Sequence, residues 1–350
     1  MEVFSGTVLT EDGFIEGYVR TDDGKIIEIT EGKCPFDNDI KGLIVPSMVN
    51  SHTHCADGGL KVAPGLSLED LVAPPNGLKH KYLRDLSDAF LIDTMKKYST
   101  ASRRNGIGTF IDFREGGIAG CELLRKASPE AIILGRPAFG GYDAEEIDGI
   151  LKVADGIGLP SISDMRFEDI EAIADHVRRS NGMFSIHVSE RIREDIDAAL
   201  SLDPAFIIHM VESTDSDITK CAEAEVPIVV CARSNLYFEK VPPIKRMVDM
   251  GADVAIGTDN AMFCEPDLRA EASVFLEVLS SQGGSPHDII DPLFLQGRKI
   301  LYPANKIHLY EGADAMLTVF PYSGEFSIEK ALADRGRIIG RTVVSKEGMQ

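Results

Sequence analysis

The sequence contains neither a long apolar run nor an excess of basic charge. No window approaches the roughly 18 consecutive apolar residues of a membrane-spanning helix. Residues 1–6 lack the basic stretch and apolar core that begin a signal peptide. The formal net charge is -20, whereas a surface for nucleic acid or anionic membranes needs clustered Lys and Arg. These absences predict a cytoplasmic protein that binds neither nucleic acid nor membranes and acts on a small molecule.

Cysteine is scarce, and the spacing of the cysteines does not suggest disulfide bonds. The six cysteines in 350 residues include no Cys-x-x-Cys pair and no disulfide-type spacing. A chain of this length can bury a sizeable core without covalent links. We therefore expect reduced thiols that serve as small buried apolar side chains.

The order of apolar runs and helical patterns divides the chain into three parts. Residues 1–42 alternate strand-like runs with turns such as Asp22-Asp23-Gly24, which predicts a small antiparallel unit. From residue 43 to residue 305 a strand-like run is repeatedly followed by a loop and a helical stretch. The predicted strands are residues 43–50, 108–113, 131–135, 153–160, 183–188, 205–210, 227–231 and 253–257, and the predicted helices include residues 86–104, 167–179, 215–224, 243–250 and 267–281.

Eight strand-then-helix units over about 260 residues have the size and rhythm of a (β/α)8 barrel. A doubly wound parallel sheet is the alternative fold. After residue 305 the sequence returns to strand-like runs at residues 311–320 and 336–344. We expect these runs to complete the N-terminal sheet.

Four histidines and an aspartate fall at the ends of predicted barrel strands. His52 and His54 are two residues apart, so on a strand their imidazoles project from the same face. His187 and His209 end the fifth and sixth predicted strands, and Asp259 follows the eighth. In a barrel of this type such positions meet at one mouth, where active sites lie. We expect the remaining histidines to be solvated or structural; they are His80, His176, His287 and His308. Of these, His80 lies on the long loop after the first barrel strand, where it can overhang the mouth.

This pattern resembles the amidohydrolase superfamily, which carries His-x-His after strand 1, His after strands 5 and 6, and Asp after strand 8. Within it, the nucleobase, adenosine and S-adenosylhomocysteine deaminases and the related chlorohydrolases have His-x-x-Glu at strand 5, matched here by His187 and Glu190. Their strand-7 motif, Cys-Pro-x-Ser-Asn, is similar to residues 231–235, with Ala232 in place of proline. The stretch 46–54 is similar to Pro-Gly-x-x-Asn-x-His-Thr-His, and residues 312–320 are similar to Gly-x-x-Ala-Asp-Leu-x-Val-Phe.

The resemblance covers nearly the whole chain and implies a fold. That fold is of the α/β class: a (β/α)8 TIM barrel over residues 43–305, with a small β-sandwich built from residues 1–42 and 306–350. It also implies that one divalent metal ion is held by His52, His54, His187 and Asp259. Three neutral imidazoles and a carboxylate suit Zn²⁺ best, with Fe as the alternative. A single ion is expected because residues 156–160 offer no Lys or Glu to bridge two metals.

The activity implied by the resemblance is that of an aminohydrolase. A bound divalent ion lowers the pKa of water to about 7 and so supplies hydroxide at neutral pH. His209 would orient or deprotonate the attacking water, Asp259 would accept its proton, and Glu190 would pass a proton to a ring nitrogen of the substrate. Ammonia would then leave a small heterocycle such as a nucleobase, a nucleoside or a pterin.

Two other functions stay open. The same scaffold supports hydrolytic dechlorination and cyclic-amide C–N hydrolysis, for which a ring-protonating acid such as Glu190 is not obligatory. A barrel that only binds or assembles is the other alternative, although all five strand-end groups are retained. We expect a homo-oligomer.

Three arginines follow predicted strands, and their placement bears on the charge of the substrate. They are Arg114 after the second strand, Arg136 after the third and Arg233 in the strand-7 motif, and Ser234 beside Arg233 is a further candidate substrate contact. Guanidinium groups suit carboxylates and phosphates. We expect the arginines to converge near the mouth and to bind such a group, with Arg136 as the first choice. The alternative is that they pair with protein acids such as Glu115, Asp112 or Asp164.

Overall fold

The computed structural model describes residues 1–37, 39–63, 65–73, 76–138, 140–322, 324–333 and 339–341. All strands in this part of the chain belong to two sheets. The first is a six-stranded mixed sheet in the order β15-β14-β4-β1-β2-β3. Its strands come from both ends of the chain: β1 Glu2–Thr10, β2 Gly13–Asp22, β3 Lys25–Glu31, β4 Ile40–Pro46, β14 Leu317–Phe320 and β15 Ile339–Arg341.

The second sheet is parallel and forms the barrel. Its nine strands are β5 Met48–His54, β6 Ile107–Arg114, β7 Ile132–Gly135, β8 Gly156–Leu159, β9 Met183–Val188, β10 Phe206–His209, β11 Ile228–Val230, β12 Val254–Ile256 and β13 Asp259–Asn260. Neighbouring strands pair in chain order from β5 to β12. Such strands are buried on both faces and so are rich in Val, Ile and Leu.

The barrel closes where its last strand meets its first. After β12 the chain passes through Gly257 and Thr258 into β13, which pairs with β5. The Thr258 N–H donates to the carbonyl of His52 over 3.1 Å. A Cβ at position 257 would lie 2.9 Å from the His52 backbone nitrogen, so a glycine is needed for this close approach. Closure therefore brings Asp259 directly beside the His52-Thr53-His54 segment.

The described residues also form 14 α-helices. They are α1 Leu68–Val72, α2 Leu78–Asp85, α3 Asp88–Arg104, α4 Gly117–Ala127, α5 Ala144–Leu151, α6 Phe167–Arg179, α7 Ile196–Ser201, α8 Asp215–Glu223, α9 Ala232–Tyr237, α10 Ile244–Asp249, α11 Leu268–Ser281, α12 Ile290–Phe294, α13 Gln296–Leu301 and α14 Ile328–Ala333. Short 3₁₀ helices span Cys55–Asp57, Ile162–Asp164 and Pro286–Ile289. Among the described residues, none of the helices combines the length and hydrophobicity needed to cross a membrane. The six cysteines are unpaired, and five of them are buried.

The predicted fold class is confirmed, since a parallel TIM-like barrel carries a mixed sheet made from both chain ends. One predicted strand was wrong: residues 43–50 form two strands, because β4 ends at Pro46 in the small sheet and β5 begins at Met48 in the barrel. Of the predicted strand 336–344, residues 339–341 form β15 and the others lie outside the described residues. The division into residues 1–42, 43–305 and 306–350 stays a prediction, and β4 runs across its first boundary.

Candidate metal centre and substrate pocket

Five buried polar side chains meet at the carboxyl ends of the barrel strands. They are His52 and His54 from β5, His187 from β9, His209 from β10 and Asp259 from β13. Nε2 of His52 lies 3.3 Å from Nε2 of His187 and 3.3 Å from Oδ1 of Asp259, while Nε2 of His54 lies 3.6 Å from the same oxygen. Two overlapping triplets, His52-His54-His187 and His52-His209-Asp259, each bring their ligand atoms within 4.8 Å of one another.

Four residues of this region have backbone conformations that cost free energy. His209 has φ 78°, Met210 has φ 53°, Asp259 has φ 59° and Ser189, next to Glu190, has φ 52°. Residues other than glycine rarely adopt positive φ, and such strain amounts to about 1–3 kcal/mol per residue. The strained residues lie at or directly after the ends of β9 and β10 and at the start of β13.

Hydrogen bonds at Nδ1 orient two of the imidazoles. The Nδ1–H of His187 donates to the carbonyl of Leu159 over 2.7 Å. Nδ1 of His54 lies 3.0 Å from the carbonyl of Phe113 and 2.9 Å from a carboxylate oxygen of Glu115. Two acceptors at Nδ1 fix the proton there, which leaves Nε2 with a free lone pair. Both Nε2 atoms belong to the central cluster.

Burial keeps these imidazoles uncharged. It lowers the pKa of His52 and His187, and it lowers the pKa of His54 to about 3. Neutral imidazole is the form that binds metal ions. The Nδ1 of His52 is buried and has no hydrogen-bond partner among the described residues. At neutral pH His54 and His187, whose Nδ1 atoms carry the proton, therefore present the lone pair of Nε2 to the centre of the cluster.

The short helix α9 orients the other two members of the cluster. The Ser234 hydroxyl donates to Oδ2 of Asp259, and this leaves Oδ1 to face His52 and His54. The side-chain amide of Asn235 donates to Nδ1 of His209 over 3.2 Å. Burial acts to raise the pKa of Asp259, but its hydrogen bond with His52 holds it well below its usual range. Asp259 is therefore an anion in this cluster.

Glu190 lies immediately beside the cluster, two residues beyond the end of β9. Its Oε1 is 3.5 Å from Nε2 of His209, and its side chain is 13% exposed. Burial raises the pKa of Glu190, although the nearby His209 acts in the opposite direction. A carboxyl group with a raised pKa in a pocket is suited to carry a proton.

A pocket opens directly above these groups. It encloses about 560 Å³, including its solvent-facing mouth. Apolar side chains from the long loop after β5 form one wall, and charged side chains from four other barrel strands form the rest. The lining residues are His54, Leu68, Val72, Ala73, Lys79, Arg136, Pro160, Ser161, Asp164, His187, Glu190, Arg191, His209, Asp259 and Asn260.

A buried ion pair that sequence reasoning missed lies against His54. Lys79, from α2, is 2% exposed. Its ammonium is 2.7 Å from Oε1 of Glu115 and donates to Oδ1 of Asn260 over 3.1 Å. Burial opposes ionisation of Glu115, but Lys79 and His54 hold its pKa well below its usual range. Glu115 directly follows a strand end, which is a usable signal, whereas nothing in the sequence marks Lys79.

The three arginines do not converge. Arg136 lines the pocket, and its buried Nε has no hydrogen-bond partner among the described residues. Arg114 lines a neighbouring groove, where its guanidinium is 3.0 Å from Glu115 and 3.9 Å from Asp112. Arg233 donates to the carbonyl of Glu265. Of the three, Arg136 is therefore the one whose side chain lines the pocket above the cluster.

The remaining histidines lie outside the pocket. His80 was expected to be solvated or structural, although its loop places it within reach of the mouth. Its Nε2 is 3.1 Å from the carbonyl of Val72, and the ring lines the groove next to Arg114. His176 pairs with Asp148 on the outer helices. His80 and His176 thus have partners of their own away from the cluster.

The donor set fits a borderline divalent metal ion. Imidazole nitrogens and one carboxylate oxygen are the ligands that Zn²⁺ and Fe²⁺ accept, and buried catalytic sites of this type keep one position open. The neutral imidazoles, the anionic Asp259 and the unpartnered Nδ1 of His52 all agree with such an ion. The barrel therefore contains a buried His-rich cluster whose composition is consistent with metal binding.

Comparison with known proteins identifies the same family that the sequence resembles. The model of the amidohydrolase family matches residues 43–321. An uncharacterized protein of Methanocaldococcus jannaschii is 34% identical over 339 residues, which cover 89% of this chain and 85% of that protein. A 5-methylthioadenosine/S-adenosylhomocysteine deaminase of Thermotoga maritima is 26% identical over 70% of this chain and 65% of that protein.

A solved structure shows the same fold at lower identity. The zinc complex of atrazine chlorohydrolase from Arthrobacter aurescens superimposes with a TM-score of 0.72 at 16% identity, covering 95% of this chain and 91% of that one. The metal cluster, the barrel and the family match agree with one another, and the resemblance predicted from the sequence is confirmed. The chain therefore belongs to the amidohydrolase family of hydrolases that act on C–N bonds.

Proposed function

We propose that this chain is a metal-dependent aminohydrolase that releases ammonia from a small amino-substituted heterocycle. The observation that carries the proposal is the position of Glu190. Its carboxyl group lies 3.5 Å from His209 at the edge of the metal cluster and lines the pocket. Deamination of an aromatic ring requires an acid that protonates a ring nitrogen while water adds to the adjacent carbon. The Thermotoga maritima relative named as a deaminase supports the same reaction.

One divalent ion, with Zn²⁺ the first choice and Fe²⁺ the second, is the proposed cofactor. The proposed ligands are His52, His54, His187 and Asp259. When bound, such an ion acts as a Lewis acid and lowers the pKa of water to about 7. The neutral state of the three imidazoles means that no proton has to leave them before the ion binds.

Asp259, His209 and Glu190 divide the proton transfers. Because Ser234 already occupies Oδ2 of Asp259, Oδ1 is the oxygen available to the cluster and to the proton of the attacking water. His209, with Asn235 on Nδ1, turns Nε2 towards Glu190 and orients the water between them. Glu190 delivers its proton to the ring nitrogen as water adds to the adjacent carbon. Asp259 then passes the proton it took from water to the amino group, which leaves as ammonia, and the hydroxyl proton of the tetrahedral carbon returns to Glu190 as the carbonyl forms.

Arg136 is the proposed contact for a carboxylate or phosphate on the substrate. Its unpartnered Nε lies in the pocket wall, and a guanidinium left without a partner there gains a charge-assisted hydrogen bond when an anion binds. Ser234 and Arg114 were also predicted to contact substrate. Their observed bonds to Asp259 and Glu115 lead us to propose that they hold those carboxylates in place.

A screen for ammonia release tests the proposal. The zinc-loaded protein is incubated with aminated purines, pyrimidines and pterins, with and without carboxylate or phosphate substituents, and ammonia is measured. We expect ammonia from at least one class, with the highest kcat/KM among anionic compounds. Chloride release from chlorinated rings, or cleavage of a cyclic amide without ammonia, would assign the protein to the alternative hydrolases. If no compound is turned over but several bind, a binding protein becomes the better description.

A further inference from the structure

A buried carboxyl group outside the pocket contacts the helix that orients the metal site. Glu271 belongs to α11 and is 0% exposed. Its Oε1 accepts a hydrogen bond from the backbone N–H of Arg233 over 2.9 Å. Arg233 is the second residue of α9. Glu271 therefore satisfies an N–H group that a helix cannot satisfy by itself.

The N-terminus of α9 has no cap from its own sequence. Cys231 occupies the N-cap position and makes no side-chain hydrogen bond there, whereas Ser, Thr, Asp or Asn normally supply one. The helix is six residues long, so it has few internal hydrogen bonds to fix its direction. Glu271, 38 residues away along the chain from Arg233, takes the place of a local cap.

The next two residues of α9 contact the metal cluster. Ser234 donates to Asp259 and Asn235 donates to His209, and both are 0% exposed. A rotation of α9 would move both donors together. Any group that fixes the start of α9 therefore also fixes which oxygen of Asp259 and which nitrogen of His209 face the pocket.

We propose that Glu271 is a positioning residue, which acts through the backbone N–H of Arg233 to hold Ser234 and Asn235 against Asp259 and His209. The inference rests on the proposed function for its kinetic consequence, but its geometric consequence at the metal site does not depend on the reaction. Burial raises the pKa of Glu271 to about 8, so the group is largely uncharged at neutral pH. A glutamine, which keeps an acceptor oxygen, is then a close replacement.

Four variants test the proposal. Glu271→Leu removes the acceptor, Glu271→Gln keeps it, Ser234→Ala removes the hydroxyl that donates to Asp259, and the double variant Ser234→Ala/Glu271→Leu combines two of these changes. Glu277→Leu, at an exposed position of the same helix, is the matched control. Each is loaded with Co²⁺, and the visible absorption spectrum of the ion is recorded together with kcat and KM for the best compound of the ammonia screen.

We expect Glu271→Leu to lower kcat at least tenfold with little change in KM, to keep its Co²⁺, and to shift the Co²⁺ spectrum because Asp259 is reoriented. Glu271→Gln should resemble the wild type. Glu271→Leu should have a smaller effect on kcat and on the spectrum in the Ser234→Ala background, because the donor that Glu271 positions is already absent there. This non-additivity is the signature of an action through Ser234.

Equal effects of Glu271→Leu in both backgrounds, or a Glu271→Leu spectrum and kcat matching those of Glu277→Leu, would overturn the proposal. If Glu271→Leu does not fold, Glu271→Asp, whose shorter side chain withdraws the acceptor from the Arg233 N–H, takes its place: it should shift the spectrum and Glu271→Gln should not, and any other result overturns the proposal. If no compound releases ammonia, the Co²⁺ spectra still decide, so failure of the proposed function is distinguished from failure of this inference.

Discussion

Replacement of Glu190 tests whether this residue carries a proton or binds the metal ion. Glutamine has the same shape but carries no acidic proton. We expect Glu190→Gln to retain its metal and to lose kcat by about 100-fold or more, the usual size of general acid-base assistance. Metal content by elemental analysis and kcat for ammonia release are the measurements. Loss of metal in this variant, or turnover equal to that of the wild type, would contradict the assigned role.

Arg136 determines whether the substrate is an anion. Removal of a charge-assisted hydrogen bond costs about 1.5–3 kcal/mol, which is roughly a 10- to 100-fold change in affinity. We expect Arg136→Met to raise KM for the true substrate by that factor while metal content stays the same. Arg166→Met, at an exposed surface position, is the control. A best substrate that is uncharged, with KM unchanged in Arg136→Met, would reject the anion contact.

At the scale of single elements, α8 shows how local sequence stabilises the barrel near the site. This helix follows β10, which ends at His209. Thr214 and Asp217 form a capping box, and Asp217 also pairs with Arg193 through two bonds of 2.7 and 2.8 Å. The hydrogen bond from Arg193 is the main reason that the pKa of Asp217 lies well below its usual range, although burial opposes it.

The depressed pKa of Asp217 gives its stabilising effect a defined pH dependence. The folded state binds a proton at this group less readily than the unfolded state, whose pKa is about 3.9. The stabilisation is therefore complete above about pH 5 and is lost as the pH falls through the folded-state pKa. We expect Asp217→Asn to cost about 1–2 kcal/mol at pH 7 and less at pH 3.5, measured by urea unfolding. A difference that stays constant or grows at low pH would contradict this, and Asp215→Asn, on the same helix, serves as the control.

Strands and strand-end residues were predictable because both follow from local pattern. Apolar runs of four to eight residues give the barrel strands, and the two-residue spacing of His52 and His54 gives their common face. The exception is residues 43–50, where two consecutive strands share one apolar run and only their pairing partners, β14 and β6, assign them to different sheets. Pairing of distant segments is not encoded in any single window of sequence.

Residues that act through long-range contacts were not predictable. Lys79 reaches Asn260 across 181 positions, and Glu271 reaches Arg233 across 38 positions. Neither belongs to a recognisable motif, since each depends on how a loop or an outer helix packs over the barrel. The convergence expected for the three arginines also failed. Arg114 pairs with Glu115 and Asp112, which is the alternative that the sequence offered, whereas the contact of Arg233 with Glu265 was not predicted.

At the scale of the whole molecule, closure of the barrel makes the site a single unit. The last strand places Asp259 beside His52, and the long loop after β5 supplies Lys79 and an apolar wall. Strain at His209 and Asp259 is tolerated because the closed sheet fixes the backbone on both sides. The expected homo-oligomeric state stays a prediction. The metal site, in contrast, requires no residue from a second chain.

Titration of the metal-free protein with Zn²⁺ tests the central claim most directly. Bound metal per chain and ammonia release are followed together in the wild type and in Asp259→Ala, with His176→Ala as a control outside the cluster. We predict that activity rises in proportion to metal, that both saturate at about one ion per chain, and that Asp259→Ala neither holds the ion nor releases ammonia. Saturation near two ions with both required, or full ammonia release from metal-free protein, would contradict the account.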